Sequence, residues 1–128
     1  MNLLLDTHVL LWEILGDPRL KPHVRDALKD GDNRLHLSIA SLWEISTNLA
    51  NRRLKLPDRN IDYIVGFMER WRIELLPVRV EHIRAAAQLP FHHGDPFDRM
   101  LVAQANIEGL RLVSSDEKVK MYRVDIFW

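Results

Sequence analysis

Four acids in this chain stand where they could hold a metal ion: Asp6, Glu44, Asp98 and Asp116. Asp6 closes the run Asn2-Leu3-Leu4-Leu5, and Asp116 follows Leu112-Val113-Ser114-Ser115. Both runs read as buried strands that stop abruptly in polar residues. Glu44 and Asp98 fall near the starts of two helical patterns. In an open α/β sheet, ligands bind beyond the carboxyl ends of the strands. Carboxylates gathered there repel one another unless a cation is present. With no cysteine in the chain, the pattern points to a hard divalent cation and phosphate chemistry.

Each acid also has a structural reading. Asp6 can cap the helix that begins near His8. Ser41-x-x-Glu44 has the form of a capping box. At about 100° per residue, Ile39, Leu42, Ser46 and Leu49 share one helical face. Glu44 then falls opposite, in a polar row with Ser41, Asn48 and Arg52 that is either solvated or lines a site. Asp95 reads as the N-cap of the helix opened by Pro96. Asp98 and Asp116 sit in first helical turns, where the macrodipole favours any acid. No single acid decides between the two readings; the placement of all four at one end of the domain favours a site.

The elements that must position them alternate along the chain. Strands are expected at Leu3–Leu5, Leu35–Leu37, Ile73–Leu76, Arg111–Val113 and Val124–Phe127. Helices are expected from His8 to Leu15, Pro22 to Lys29, Ser38 (which can cap its helix) to about Arg52, Ile61 to Trp71, Val80 to Gln88, and Asp95 to Gly109. A turn is placed at Pro57-Asp58 and a short helical turn at Glu117–Met121. Strands separated by helices imply a mainly parallel sheet with right-handed crossovers, a three-layer α/β/α sandwich. The helix after Asp6 is apolar nearly all round, so it is buried or part of an interface. Burial is expected for most of its side chains and for those from Leu42 to Leu49, including Trp43. Trp12 and Leu11 are candidates for a partner surface.

A length of 128 residues, 47% of them hydrophobic, suits a single domain, residues 1–128, with a real core. The amino terminus meets a charge at once and has no basic region, so no signal peptide is expected. No apolar run reaches membrane-spanning length. A cytoplasmic location is the expectation. The 18 basic and 18 acidic residues cancel, which argues against coating nucleic acid by bulk charge. A local basic rim remains open: Arg52-Arg53-Leu54-Lys55 and Arg99 are candidates, with a solvated helix end and a surface salt bridge as their ordinary readings. His23, His36 and His82 read as surface or half-buried. His8 and His92-His93 lie near the acids but lack regular zinc spacing.

At these residues the chain resembles the PIN-domain family, and within it the VapC-type toxins of toxin–antitoxin pairs. The matching segments are Leu4-Leu5-Asp6-Thr7-His8-Val9-Leu10-Leu11-Trp12 and Leu37-Ser38-Ile39-Ala40-Ser41-Leu42-Trp43-Glu44-Ile45. They continue with His93-Gly94-Asp95-Pro96-Phe97-Asp98-Arg99-Met100-Leu101 and Leu112-Val113-Ser114-Ser115-Asp116-Glu117-Lys118. Their order and spacing span nearly the whole chain. The resemblance implies a compact α/β/α domain that cuts RNA with Mg2+ or Mn2+. It implies Asp6, Glu44, Asp98 and Asp116 as the acid set, with Thr7 supporting Asp6. Ser114 stands where the family often has threonine, which keeps the hydroxyl. It also implies a small VapB-like antitoxin that covers the site, and a homodimer.

The expected chemistry is hydrolysis of RNA phosphodiester bonds, with water activated for in-line attack on phosphorus. Asp6 and Asp98 are the first choices as direct ligands, with Glu44 acting through water and Asp116 orienting the water or a second ion. Two other readings compete. A metallophosphoesterase shares Asp6-x-His8 and Gly94-Asp95-x-x-Asp98-Arg99, but its Asn-His motif is absent and the chain is too short for its double sandwich. A PIN-like module that only binds RNA or protein would not need all four acids.

Overall fold

Leu3, Leu4 and Leu5 are each at most 1% exposed, and together they form the middle of the molecule. They belong to β1 (Asn2–Leu5), the central strand of a five-stranded sheet. A buried leucine side chain contributes about 1.5–3 kcal/mol. The chain is described by a computed structural model covering residues 1–56 and 60–128. The turn expected at Pro57-Asp58 lies outside the described residues.

From β1 the chain runs through α1 (Thr7–Leu15) and α2 (Pro22–Lys29) to β2 (Arg34–Ser38). It continues through α3 (Ile39–Ala50) and α4 (Ile61–Arg70) to β3 (Glu74–Leu76). Then α5 (Val80–Gln88) and α6 (Pro96–Glu108) lead to β4 (Arg111–Val113). A 3-10 turn at Val119–Met121 precedes β5 (Ile126–Phe127). The sheet order is β3-β2-β1-β4-β5, and every pairing is parallel.

This order explains the layers. Crossovers between parallel strands are right-handed in nearly all proteins. Stepping from β1 to β2 to β3 therefore puts α1–α4 on one face, and stepping back from β3 to β4 puts α5 and α6 on the other. The packing follows. Leu3, Leu5, Leu37 and Val113 meet Val9, Leu10, Val24, Ile45, Ile64 and Phe67 in one core. Leu4 and Leu112 meet Leu101, Val102, Ala105 and Tyr122 in the other. The alternation of Leu3, Leu4 and Leu5 is the period of two of a strand buried on both faces.

Several expectations need correction. In α3 the buried positions are Ser41, Ile45 and Leu49, while Ile39 is exposed. The cap is Ser38, as the sequence also allowed, and its Oγ accepts from the amide of Ala40 at 3.1 Å. Ser41 therefore lies inside the helix and forms no capping box. Glu44 sits beside the buried stripe, half-buried, because the core face is rotated from the predicted one. Trp43 is 67% exposed and Leu11 is buried, the reverse of the expected roles. The helix ends at Ala50, and Arg52 takes a left-handed conformation with φ 62°. β3 begins one residue later than Ile73, and the last strand is Ile126–Phe127.

Two buried polar residues join α5 to α6. His82 is fully buried: Nδ1 accepts from the amide of Arg79 at 2.9 Å, and Nε2 meets Glu108 Oε1 at 2.8 Å. It is neither surface nor half-buried, because its ring closes the first turn of α5. Arg99 is 7% exposed. It donates to the carbonyls of Ala86 (2.8 Å), Leu89 (3.0 Å) and Pro90 (2.8 Å), and to Tyr122 Oη at 3.1 Å. Its guanidinium satisfies carbonyls at the end of α5, so it serves neither as a basic rim nor as a surface salt bridge. Replacing Arg99 by Met should cost about 3 kcal/mol in urea denaturation, because buried carbonyls lose a charged donor. Arg99→Lys should recover only part of this, since one ammonium cannot match the planar fork.

Candidate metal centre

Asp6 follows β1 directly, and its amide donates to the carbonyl of Val113 at the end of β4 at 3.0 Å. Leu5 is paired with Val113 in register, so Asp6 and Ser114 emerge side by side. This is where the strand order reverses, the crevice in which open α/β sheets bind ligands. Ser114 Oγ donates to Asp6 Oδ2 at 2.7 Å and accepts from the amide of Asp116 at 3.1 Å. One buried hydroxyl thus links two of the four acids. Asp6 Oδ1 also accepts from the amide of His8 at 3.2 Å, so the capping reading of Asp6 holds as well. The His8 ring lies 3.8 Å from Asp6 Oδ1. Hydrogen bonding to Asp6 raises its pKa against the opposing effect of burial.

Asp98 comes from the first turn of α6, which Asp95 caps by accepting from the amide of Phe97 at 2.8 Å. Asp95 is a cap, as expected, but its charge reaches the site. The carboxyl of Asp98 is pushed up to about 7, first by burial, then by the charges of Asp6 and Asp95, with Asp116 adding and His93 opposing. Glu44 projects from α3. Its pKa is raised, mainly by burial; the Thr7 hydroxyl opposes this, and Asp95 and Asp6 add to it. The Thr7 hydroxyl is buried without a completed hydrogen bond, so it makes no bond to Asp6 and only stands near enough to Glu44 to favour its charged form. Asp116 Oδ1 accepts from the amides of Lys118 (2.8 Å) and Val119 (3.4 Å), which closes the 3-10 turn.

His93 is the residue that the sequence reading left outside the set. Its Nε2 lies 2.8 Å from Asp98 Oδ2 and 3.3 Å from Asp116 Oδ2. It nevertheless completes a hydrogen bond with neither and is a buried, unpartnered polar atom. Its Nδ1 accepts from the amide of Asp95 at 3.3 Å, which leaves the ring proton on Nε2. Through Nε2 the ring faces the two acids, and His93, Asp98 and Asp116 offer three ligand atoms within 4.8 Å of one another, a group that could hold a metal ion. Its backbone is held by Tyr122, whose Oη accepts from the amide of His93 at 3.1 Å. The available signal was a histidine just ahead of a helix cap, five residues before Asp98.

All four acids reach this end of the sheet. Ser114 links Asp6 to Asp116, His93 Nε2 lies close to Asp98 and Asp116, and the charges of Asp6 and Asp95 act on Glu44. A cluster of hard oxygens without sulfur suits a hard divalent cation. The raised Asp98 pKa and the orphaned His93 nitrogen mark charge that the protein alone does not neutralise. A second group, Glu81, His82 and Glu108, is accounted for by the His82–Glu108 hydrogen bond. A cavity of about 490 Å3 lies at the opposite end of the strands, beside Lys29, Arg34 and Arg72, and contains none of the four acids.

Residues 3–126 match the family model of the PIN domain. Ribonuclease VapC22 of Mycobacterium tuberculosis (strain ATCC 25618 / H37Rv) is 27% identical over 122 residues, covering 95% of this chain and 92% of that protein. VapBC2 from Rickettsia felis, solved bound to a DNA fragment from their promoter, is similar in fold with a TM-score of 0.73 and 18% identity. That likeness covers 98% of this chain and 96% of the other. VapBC-1 from nontypeable Haemophilus influenzae gives 0.67 and 16% over 94% of this chain and 91% of the other.

The Asp98 value fixes a pH dependence. Its folded pKa of about 7 lies above the unfolded value of 3.8. The stability this group contributes is therefore full below the unfolded value and lost as pH rises through the folded one. In excess chelator, the urea midpoint should fall as pH rises from about 4 to about 7, and Asp98→Asn should flatten that fall. Added Mn2+ should raise the midpoint more at about pH 8 than at about pH 5, because the cation replaces the proton.

Proposed function

The chain belongs to the PIN-domain family, and on that premise we propose that it is a metal-dependent endoribonuclease and the toxin of a toxin–antitoxin pair. The observation that carries this reading is the concentration of Asp6, Glu44, Asp98 and Asp116 at the strand-order reversal, with Asp98 held up to about 7. The kinship with Ribonuclease VapC22, along nearly the whole length of both chains, supports RNA as the substrate.

Asp98 and Asp116 would hold Mg2+ or Mn2+ together with Asp6, and Glu44 would complete the set. A divalent cation bound there supplies Lewis-acid chemistry, neutralising the scissile phosphate and making a water more acidic. Ser114 fixes the orientation of Asp6 through their 2.7 Å hydrogen bond. Thr7 and Ser114 both support the acids from buried positions. Glu44, whose proton affinity burial raises, is suited to take a proton as the nucleophile forms. His93 Nε2 stands 2.8 Å from Asp98 and 3.3 Å from Asp116, where it could join them in holding the ion.

The partners in this reading are RNA, a small VapB-like antitoxin that covers the site, and a second copy of the chain. Trp43, which neighbours Glu44 and is 67% exposed, and Ile39 on the same helix offer apolar surface for such contacts. No helix among the described residues is long and apolar enough to cross a membrane. A cytoplasmic location belongs to the same proposal.

A nuclease assay on single-stranded RNA tests the site. Asp6→Asn and Asp98→Asn should each lower kcat by roughly a hundredfold or more. Full activity in either variant, or in excess chelator, sinks the assignment. Ser114→Ala should retain the fold but weaken Mn2+ binding by about ten- to a hundredfold, read by titration calorimetry.

A further inference from the structure

A groove of about 440 Å3 opens beside Glu44 and runs between the carboxyl-terminal half of α3 and the start of α6. The residues that matter along it are Asn48, Asn51, Arg53 and Phe97. We propose that this groove is a subsite for one ribonucleotide flanking the scissile phosphate. Phe97 would meet the base, Asn48 and Asn51 would read its edge, and Arg53 would hold a neighbouring phosphate. The proposal rests on the ribonuclease reading and names the part of the substrate that the acids do not touch.

The geometry of the helix end supports it. Glu44, Asn48 and Asn51 are spaced four and three residues apart, so they lie along one side of α3. From Glu44 to Asn51 the axis advances about 10 Å. The helix ends in a common left-handed cap: Arg52 adopts φ 62°, and the unusual part is only that the residue there is not glycine. The chain then folds back, and the amide of Arg53 donates to the carbonyl of Asn48 at 2.9 Å and to Asn51 Oδ1 at 3.1 Å. These two bonds set Arg53 against the last turn of α3, at the groove. Among the described residues its guanidinium has no ion-pair partner within the salt-bridge distances.

Three kinds of group in the walls suit RNA, beside the carboxylates of Glu44 and Asp95. Single-stranded RNA is recognised by stacking of splayed bases on aromatic rings and by hydrogen bonds to their edges. Phe97 is half-buried and lines the groove, so part of the residue is open to a ligand. Asn51 uses its oxygen on the Arg53 amide and keeps its amide donors. A guanidinium binds phosphate well. The same groove opens onto Glu44, where the proposed cation would face the scissile phosphate.

The test uses the whole protein, as wild type, Asn48→Ala, Arg53→Ala and Lys29→Ala, each checked by thermal melting. Lys29 lies by the cavity at the opposite end of the strands, so its variant controls for the loss of one charge. A random-sequence RNA pool is cleaved in Mn2+ and its ends are sequenced, and KM and kcat are measured on one cleaved sequence. Asn48→Ala should relax base preference at a single position beside the cut by about tenfold. Arg53→Ala should raise KM about tenfold, with kcat within about twofold, and reduce the salt slope by about one. Lys29→Ala should do none of this, and Arg53→Lys should restore most of the KM. If Asn48→Ala melts early, Asn48→Gln takes its place.

Unchanged base preference and unchanged KM in folded variants overturn the subsite while leaving the ribonuclease reading intact. If the wild type cleaves no RNA in Mg2+ or Mn2+, the ribonuclease reading fails, and binding of a short fluorescent single-stranded RNA in chelator decides the groove. Arg53-dependent binding sustains it; absent or Arg53-independent binding overturns it. Loss of a co-purifying protein from these variants, with KM on RNA unchanged, gives the groove to a protein segment and likewise overturns the proposal.

Discussion

Repulsion among carboxylates at the carboxyl end of the sheet is the constraint around which this molecule is arranged. Burial raises the pKa of Asp98 and of Glu44, and Asp6 adds to both shifts. A fold that needed only helix caps at these positions would have no reason to place them so close together. The protein answers the repulsion with the means it has. Ser114 donates a short hydrogen bond to Asp6, and His93 turns its ring nitrogen toward Asp98 and Asp116. Neither neutralises the cluster, and a cation would.

The cluster exists because of a register. Leu5 pairs with Val113, so Asp6 and Ser114 leave the sheet at the same level. A shift of one residue would reverse the faces of the strand and part the two groups. The three buried leucines of β1 hold that register from both sides of the sheet, and the core and the site are therefore one structural problem. The second helical layer adds a further brace. Arg99 binds carbonyls at the end of α5 and Tyr122, and Tyr122 in turn accepts from the amide of His93. Asp98, adjacent to Arg99, inherits its position from this network.

Each acid also has a plain structural task or neighbour. Asp6 caps α1 and Asp116 closes a 3-10 turn, as local sequence logic expects. Capping and clustering are compatible here. A cap fixes one oxygen of a carboxylate against backbone amides and leaves the other for a shared site. The capping motif drawn through Ser41 and Glu44 failed for a different reason. Ser38, at the end of β2, reaches the first free amide before Ser41 can, so Glu44 is released from the helix end and stands beside the core.

Strand and helix order, the parallel sheet and the four acids were legible along the chain, because hydrophobic period, capping residues and abrupt polar stops are local signals. The resemblance in Leu4–Trp12, Leu37–Ile45, His93–Leu101 and Leu112–Lys118 is what joins those acids into one set at the level of sequence. The roles of His93, Arg99, Trp43 and His82 were not legible. Whether a histidine faces solvent or two carboxylates, or an arginine faces phosphate or buried carbonyls, depends on which helix packs beside it. That is settled by contacts between residues far apart in the chain. The sequence determined which groups are available and on which elements they ride; the tertiary structure decided which of them meet, because only packing sets the rotation of each helix and the level at which each strand ends.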